Sequence, residues 1–281
     1  MNVQTAEQNN DPHLGTHDLF DTERYAVAAR GSSAYDALVA SARAGLAERN
    51  CAQLAGFIRP TILAQMQDEA AALEGAATFT EKWLNPYFST PPADVPGDHP
   101  LKRLSLRRHG MVRGDRFSRS GAIWAAFQNA DLCQFVADCL GYDELYTYRD
   151  PFGCVNVNVQ PPDCEFAWHF DHNDFTVSFG LKQPAEGGVF EFAPDIRTRT
   201  SENYEEVQKV LDGDRAKVET LRLRPGDLQL FRGGYTLHRV SAPVNEGRQS
   251  LLFSYVTDPS RIASAEYAQR LWGEVHPDHM S

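Results

Sequence analysis

The chain has 281 residues, a formal net charge of −11, 42% hydrophobic residues and 23% charged residues. This composition is typical of a globular protein with a sizeable core. The acidic balance argues against nucleic-acid binding, which depends on basic residues facing phosphates. Because the sequence holds no run of eighteen apolar residues, no membrane span is predicted.

The N-terminal residues are polar and show no basic segment followed by an apolar one, so no signal peptide is predicted. Residues 1–20 are predicted to form a flexible arm and residues 21–281 a single domain. Five cysteines without C-x-x-C spacing predict reduced thiols and a cytoplasmic protein rather than a zinc site. They are Cys51, Cys133, Cys139, Cys154 and Cys164.

The part from about residue 21 to 141 is predicted to be helical. Apolar residues at steps of three and four predict one helix from Ser33 and a second near Pro60. Their apolar stripes comprise Tyr35, Leu38, Val39, Ala42 and Leu46, and Ile62, Leu63, Met66, Ala70 and Leu73. A proline-rich loop over 86–100 separates them from a third helical region over 120–140, which Gly141 is placed to end.

The densest basic segment is Lys102-Arg103-Leu104-Ser105-Leu106-Arg107-Arg108. Its basic residues are interleaved with apolar ones, which is typical of a strand with one solvated face. We therefore interpret it as the exposed face of a strand and not as a phosphate-binding patch.

Short alternating segments separated by turn signals predict eight β-strands within about 145–257. They lie at 154–159, 166–171, 175–181, 189–192, 218–223, 228–231, 235–240 and 249–256, with one helix at 201–211. This order predicts a mainly β protein with helices (α+β), a double-stranded β-helix or jelly roll with N-terminal helices packed on one sheet. In the C-terminal tail, His276-Pro277-Asp278-His279 is interpreted as a disordered polar segment rather than a metal site.

The segment Trp168-His169-Phe170-Asp171 carries the first sign of chemistry. Residues two apart on a strand share a face, so His169 and Asp171 can converge on one point inside the barrel. His238, on a late strand, is the best candidate for a third ligand. Two histidines and a carboxylate leave three positions open on Fe(II), enough for a bidentate 2-oxo acid and dioxygen.

Arg248 follows His238 by ten positions, a distance over which a hairpin can return it to the metal. A guanidinium binds a carboxylate in bidentate fashion, and Ser250 lies on the same face to add a hydroxyl donor. Each of these residues alone is typical of an ordinary surface or core position. Their shared order and spacing favour a joint functional interpretation.

The chain resembles the Fe(II)/2-oxoglutarate-dependent oxygenase superfamily, and more narrowly the branch of halogenases and hydroxylases of free amino acids. The resemblance runs from about Leu145 to Val256. It rests on Trp168-His169-Phe170-Asp171, Glu186-Gly187-Gly188-Val189-Phe190-Glu191-Phe192, Pro194-Asp195-Ile196-Arg197, Glu202-Asn203-Tyr204, Pro225-Gly226-Asp227, Leu230-Phe231-Arg232-Gly233 and Leu237-His238-Arg239-Val240.

The resemblance implies a jelly roll that uses Fe(II), 2-oxoglutarate and dioxygen on a small substrate held near the metal. In halogenases of this branch a small residue replaces the carboxylate and chloride takes its place. Because Asp171 is present, the expected reaction is hydroxylation of an unactivated C–H bond with release of succinate and carbon dioxide. Desaturation and cyclisation remain open products.

The substrate is expected to be a free amino acid or a related small polar molecule. Relatives that bind a basic amino acid use polar residues beside the H-x-D motif, whereas this chain has Phe166 before it and His172 after it. His172 and Asp174 are candidate substrate contacts. Asn156 and Asn158 are further candidates, with a plain polar strand face as an equal alternative.

Two rival functions remain open at this stage. One is a cupin-type dioxygenase or isomerase that does not use 2-oxoglutarate, and it would give Arg248 no required role. The other is a non-catalytic jelly-roll binding protein, against which the intact His169, Asp171 and His238 argue. The sequence leaves the oligomeric state open, with a homodimer among the arrangements considered.

Overall fold

The computed structural model describes residues 14–280. Within them, the α-helices are α1 (Thr16–Leu19), α2 (Ser33–Arg49), α3 (Pro60–Leu73), α4 (Ala122–Phe127), α5 (Ala130–Leu140), α6 (Tyr204–Leu211) and α7 (Ala265–Trp272). The strands of the same residues are β1 (Cys51–Leu54), β2 (Thr78–Leu84), β3 (Ser105–Val112), β4 (Tyr146–Thr147), β5 (Val155–Gln160), β6 (Phe166–His169), β7 (Thr176–Lys182), β8 (Phe190–Ala193), β9 (Glu219–Leu221), β10 (Leu228–Phe231), β11 (Leu237–Val240), β12 (Arg248–Phe253) and β13 (Tyr255–Val256).

The predicted helices begin and end close to where their capping residues indicate. The Ser32 hydroxyl accepts a hydrogen bond from the Tyr35 amide at the start of α2. The third helical region is two helices, because the side chain of Asn129 accepts from the Leu132 amide and starts α5 as a separate helix. Gly141 ends α5 in the left-handed conformation, with φ of 83°.

Two antiparallel sheets form the core of the fold. The larger sheet has the order β1-β10-β7-β12-β5-β3-β2, and the smaller has the order β6-β11-β8-β9. Aromatic side chains of both sheets meet in one cluster between them, including Phe166, Phe190 and Phe231. This arrangement of two facing sheets confirms the predicted jelly roll.

The larger sheet has an apolar outer face and an interior face with polar residues, as strand β5 shows. Val155, Val157 and Val159 belong to the main hydrophobic core, where the N-terminal helices pack on the outer face of this sheet. Asn158 and Gln160 alternate with them and therefore point to the opposite, interior face. The helical layer holds the sheet from outside while the interior face carries polar groups.

The N-terminal part is not only helical, because it contributes β1, β2 and β3 to the larger sheet. The interpretation of the basic segment as the exposed face of a strand is wrong in two respects: the strand begins only at Ser105, after the 3-10 turn Pro100–Lys102, and Arg107 does not lie on the exposed face. Arg107 and Arg108 are neighbours on β3 and point to opposite faces. Arg108 is exposed, with its Nε 3.4 Å from Glu81, whereas Arg107 is partly buried and its Nε is shielded from solvent.

The predicted N-terminal arm lies mostly outside the described residues, which begin at residue 14. Its last described residues do not behave as an arm, because Leu19 and Phe20 are fully buried in the core. The C-terminal tail is likewise packed: Pro277–Met280 forms a 3-10 turn, and Nε2 of the buried His279 lies 2.8 Å from Oδ2 of Asp150. The described helices include none long and apolar enough to cross a membrane.

Candidate active site

Three potential metal donors meet where β6 and β11 lie side by side. His169 and His238 are direct partners in the register of these antiparallel strands, so their side chains share a face. Asp171 follows β6 by two residues, and its Oδ1 lies 3.5 Å from Nε2 of each histidine. The donor atoms all lie within 4.8 Å of one another. We call these three residues the donor cluster.

Backbone carbonyls orient both imidazole rings. Nδ1 of His169 lies 2.7 Å from the carbonyl oxygen of Ala167, and Nδ1 of His238 lies 2.9 Å from that of Thr236. Carbonyl oxygens only accept hydrogen bonds, so each Nδ1 carries the proton and each Nε2 keeps its lone pair. This second contact is what fixes the orientation of metal-binding histidines.

Two residues fix the position of the Asp171 carboxylate: Thr176, through its hydroxyl, and Gly233, because it has no Cβ atom. Thr176 Oγ1 donates to Oδ2 over 2.8 Å, which leaves Oδ1 facing the histidines. The Asp171 amide donates to the carbonyl of Gly233. A Cβ atom on Gly233 would overlap Oδ2 of Asp171, so this close approach requires glycine.

Burial and mutual interactions set the protonation states of His169 and Asp171. Burial lowers the pKa of His169 to about 3, helped by the nearby His238 and Arg107. Burial alone would raise the pKa of Asp171, but its interactions with His238 and His169 hold that pKa well below its usual value. At neutral pH His169 is therefore neutral and Asp171 ionised, which are the states in which these groups bind a metal.

Arg248 lies on the interior face of the larger sheet with little to neutralise its charge. It is 5% exposed, and its described hydrogen bonds run from one terminal nitrogen to Gln160 Oε1 and Ser250 Oγ, both over 3.3 Å. Its Nε has no partner. Burial lowers the pKa of Arg248 to about 10. A buried guanidinium without an acidic partner is costly unless an anion completes its environment.

Sequence reasoning missed two polar residues of the same face, Arg107 and His109 on β3. Nε of Arg107 and Nδ1 of His109 are buried without partners. The guanidinium of Arg107 lies 4.9 Å from the ring centroid of Phe88 and 4.7 Å from that of Phe166. The His109 ring lies 3.9 Å from that of Phe166. Their two-residue spacing was the available signal, since it places both on one face of a strand.

The two candidate asparagines of β5 have different surroundings. Asn158 faces Ser250 in the strand register, and its buried Oδ1 has no partner. The amide nitrogen of Asn156 donates to the carbonyl oxygens of Phe152, over 2.8 Å, and Val112, over 3.4 Å. Asn158 is therefore available to a ligand, whereas the amide of Asn156 ties down the backbone.

The two candidates after the donor cluster lie on an exposed loop. The His172 ring lies 5.5 Å from that of Phe88, beside the donor cluster. Asp174 lines a separate cavity of about 210 Å³ together with Arg199, Arg232 and Tyr235. His172 therefore lies against Phe88 beside the donor cluster, whereas Asp174 lines a different cavity.

The residues present fit the cofactors that the sequence predicts. Two imidazole nitrogens and one carboxylate oxygen, all within 4.8 Å of one another, match the two-histidine, one-carboxylate set that binds Fe(II) and leaves positions open. The unpartnered Nε of Arg248 fits an anion such as the distal carboxylate of 2-oxoglutarate. Phe231 and Phe190, whose rings lie 4.8 and 5.7 Å from that of His238, give the site an apolar wall.

Three solved structures of low sequence identity are among those that share this fold. The non-heme alpha-ketoglutarate-dependent carbocyclase SnoK from nogalamycin biosynthesis has a TM-score of 0.54 and 12% identity, over 80% of this chain and 86% of SnoK. The epimerase SnoN from the same biosynthesis has a TM-score of 0.53 and 13% identity, over 79% of this chain and 81% of SnoN. A 2OG-Fe(II) oxygenase family oxidoreductase from Burkholderia pseudomallei has a TM-score of 0.51 and 16% identity, over 79% of this chain and 92% of that protein.

These structural similarities confirm the fold predicted from the sequence. SnoN has also been crystallised with Fe3+, alpha-ketoglutarate and nogalamycin RO. No curated protein matches the chain significantly. The model of the Halogenase D family matches residues 101–273, more than half of the chain, and these residues include the donor cluster and Arg248. The chain therefore belongs to the Halogenase D family and has the fold of the 2-oxoglutarate- and iron(II)-dependent oxygenases.

Proposed function

We propose that the chain is an Fe(II)- and 2-oxoglutarate-dependent oxygenase that hydroxylates an unactivated C–H bond of a small substrate bearing a carboxylate, such as a free amino acid or a derivative. The observation that carries this proposal is the donor cluster combined with a buried, unneutralised Arg248 on the facing sheet. A cupin that does not use 2-oxoglutarate would have no use for that arginine.

In this proposal His169, Asp171 and His238 hold the iron. Bound iron would supply the oxidation of the C–H bond, with dioxygen as oxidant and 2-oxoglutarate as the source of two further electrons. Thr176 and the backbone at Gly233 keep Asp171 in position, and the phenylalanines of the interior keep water away from the reacting atoms.

Arg248 and Ser250 would bind the distal carboxylate of 2-oxoglutarate. The guanidinium has Nε free, and Gln160 and Ser250 fix one of its terminal nitrogens. A carboxylate arriving there replaces missing hydrogen bonds and neutralises a buried charge. Asn158, opposite Ser250, adds an acceptor for a protonated or hydroxyl group nearby.

Arg107 is the anchor that we propose for the carboxylate of the substrate. Its guanidinium has no described hydrogen bond, and its Nε is buried without a partner. Phe88 and Phe166, which both lie against Arg107, have ring centroids 5.4 and 6.2 Å from that of His169, so Arg107 lies near the donor cluster. An acid bound to Arg107 would therefore place its adjoining carbons close to the metal, and His172 at the loop edge would contact its outer end.

The retained carboxylate favours hydroxylation over halogenation, although the family is named for a halogenase. Asp171 occupies the coordination position that a halide needs, and both its oxygens have defined neighbours. A reduced, cytoplasmic setting is part of the same proposal, because all five cysteines are buried and free.

The experiment is to incubate anaerobically iron-loaded protein with 2-oxoglutarate, a panel of free amino acids and then dioxygen. Succinate and product mass are measured together. We expect one substrate to increase succinate and to gain one oxygen atom, and both signals to disappear in Asp171→Ala and Arg248→Ala. Arg108→Ala, on the exposed face of β3, serves as the control and should retain activity.

The other outcomes of this experiment are equally specific. Iron binding without succinate above the iron-free level would contradict the proposal and favour a cupin-type enzyme. Chlorinated product in the presence of chloride would contradict the assignment of hydroxylation. Succinate without any modified amino acid would retain the oxygenase and reject free amino acids as its substrates.

A further inference from the structure

Phe88, in the proline-rich loop between β2 and β3, has an unusual backbone conformation. Its φ is 52°, in the left-handed region that bulky side chains rarely adopt. Such strain persists only where the surrounding structure imposes it, and it concentrates at ligand clamps and active sites. Phe88 is also only partly buried, so core packing alone does not explain its position.

A single buried amide, that of Asn85, imposes the turn that contains Phe88. Its Oδ1 accepts hydrogen bonds from the amides of Tyr87 and Ser89, over 3.0 and 3.2 Å. Its Nδ2 donates to the carbonyl oxygens of Ser89 and Leu101, over 2.6 and 2.7 Å. Four hydrogen bonds from a residue that is 3% exposed make the turn a rigid element.

This turn is bonded to the segment that carries His169 and Asp171. The amide of Phe170, which lies between His169 and Asp171 in sequence, donates to the carbonyl oxygen of Pro86 over 2.9 Å. The Tyr87 ring lies 5.1 Å from that of Phe170. The turn therefore has a fixed position relative to the metal donors.

The Phe88 ring lies over the part of the site assigned to the substrate. Its centroid is 5.4 Å from that of His169, 5.5 Å from that of His172 and 4.9 Å from the guanidinium carbon of Arg107. Phe166 lies beside the same guanidinium. Both rings therefore lie against Arg107, whose Nε is buried and has no hydrogen-bond partner.

We propose that Phe88 is a specificity-determining residue: its ring lies against Arg107, next to His169 and His172, and excludes acids with bulky groups near the carboxylate. This inference rests on the proposed function, because it takes Arg107 as the anchor of the substrate. Removing the ring enlarges the space next to the anchor, and it replaces no residue of the donor cluster and leaves Arg248 in place.

The test compares Phe88→Ala and Phe88→Gly, which both lack the ring but differ in backbone strain. Binding of a graded series, L-alanine, L-leucine and L-phenylalanine, to the full chain loaded with Fe(II) and 2-oxoglutarate is measured anaerobically by calorimetry. Thermal unfolding is recorded on the same samples. The control is Phe79→Ala, which removes an exposed ring from β2.

We expect both variants to shift the ratio of affinities toward the larger acids by about tenfold or more, the scale on which pockets discriminate apolar groups. Phe88→Gly should unfold at a higher temperature than Phe88→Ala, because glycine adopts the left-handed conformation without strain. Equal selectivity in two variants of unequal stability would separate a role in specificity from a role in folding.

An unchanged affinity ratio, or a ratio that follows the unfolding temperature, would overturn the inference. It would also be overturned if the wild type bound none of the acids while binding iron and 2-oxoglutarate. Failure of the proposed function is distinct, since it would appear as wild-type protein that does not bind 2-oxoglutarate in an iron-dependent manner. If 2-oxoglutarate did not bind but the Phe88 variants still changed the selectivity among the acids, the proposed function would fail and the role of Phe88 in binding would stand.

Discussion

The orientation of the Asp171 carboxylate depends on two residues that have no metal-binding chemistry of their own. Thr176 donates a hydrogen bond to Oδ2, and Gly233 provides the space in which that oxygen lies. Such supporting contacts commonly change metal affinity by 10- to 100-fold, roughly, when they are lost. Substitutions that leave all three donors intact should therefore weaken metal binding.

Gly233→Ala tests this dependence. The added Cβ would overlap Oδ2 of Asp171 and displace the carboxylate, so we expect the affinity for Fe(II), measured by anaerobic calorimetry, to fall by about tenfold or more. Gly97→Ala is the matched control, because a Cβ at that position meets no atom within 4 Å. Equal iron affinity in the two variants would contradict this assignment to Gly233.

His109 makes stability depend on pH. Burial, with Arg107 and His169 nearby, lowers its pKa to about 2 in the folded protein, whereas an unfolded histidine titrates near 6.5, roughly. The unfolded state therefore binds a proton first as the pH falls. The contribution of neutral His109 to the free energy of unfolding is complete above about pH 6.5. Below that pH it decreases, by up to about 1.4 kcal/mol per pH unit.

In metal-free protein, the free energy of unfolding should therefore fall less steeply in His109→Phe than in wild type when the pH is lowered from 6.5 to 5. Urea denaturation at a series of pH values measures the two slopes. The contribution of His169 is common to both proteins and cancels in the difference. Parallel curves would show that His109 is not held neutral by the fold.

At the scale of elements, the C-terminal turn Pro277–Met280 holds the chain end against the barrel. Nε2 of His279 contacts the Asp150 carboxylate, which also accepts hydrogen bonds from the amides of Phe152, Gly153 and Ala263. One buried carboxylate thus joins the segment before β5 to the end of the chain. The pairing of His279 with Asp150 cannot be inferred from the sequence of a polar tail.

His279→Ala removes the one side chain among these partners of Asp150. We expect a loss of about 1–3 kcal/mol in the free energy of unfolding, the usual cost of leaving a buried polar group without a partner. Met280→Ala, at the next and 73% exposed position, should change stability by less than about 0.5 kcal/mol. Similar values for both would mean that the turn contributes little to the fold.

Strands β5 to β12 could be predicted because each is a short alternating segment bounded by turn residues. Strand β1 was not predicted, because it pairs with residues far along the chain, as Cys51 does with Phe231. A strand was predicted at β3, but its pairing with β5, as between Gly110 and Val159, was not. Arg107 illustrates the consequence. Its alternation was recognised, but only the pairing of β3 with β5 decides that its face is interior.

The same distinction applies to the site. The donor cluster could be predicted since two-residue spacing and strand order suffice to bring His169, Asp171 and His238 together. The roles inferred for Gly233 and Phe88 depend on close approaches between loops that local patterns do not encode.

At the scale of the whole molecule, the outer face of the larger sheet contributes to the hydrophobic core and its interior face contributes to the site. The N-terminal helices complete this core, and the polar residues of the site lie on the interior face. A ligand bound inside should stabilise the folded chain because it binds only the native state. Metal binding and thermal stability should thus be coupled.

Thermal unfolding with and without Fe(II) under anaerobic conditions measures this coupling. At a metal concentration of about 100 times Kd we expect a stabilisation of about 2.7 kcal/mol, seen as a higher Tm. Asp171→Ala should abolish the increase, whereas Asp94→Ala, an exposed carboxylate in the proline-rich loop, should retain it. An equal increase in both variants would indicate metal binding elsewhere.

The central claim is that the donor cluster and Arg248 together bind 2-oxoglutarate through iron. Anaerobic calorimetry of 2-oxoglutarate binding, with and without Fe(II), in wild type and Arg248→Met tests it most directly. We predict binding only with iron, and an affinity at least about 30-fold weaker in the variant, because losing a buried charged partner costs about 2 kcal/mol or more. Binding without iron, or equal affinity in Arg248→Met, would contradict the claim.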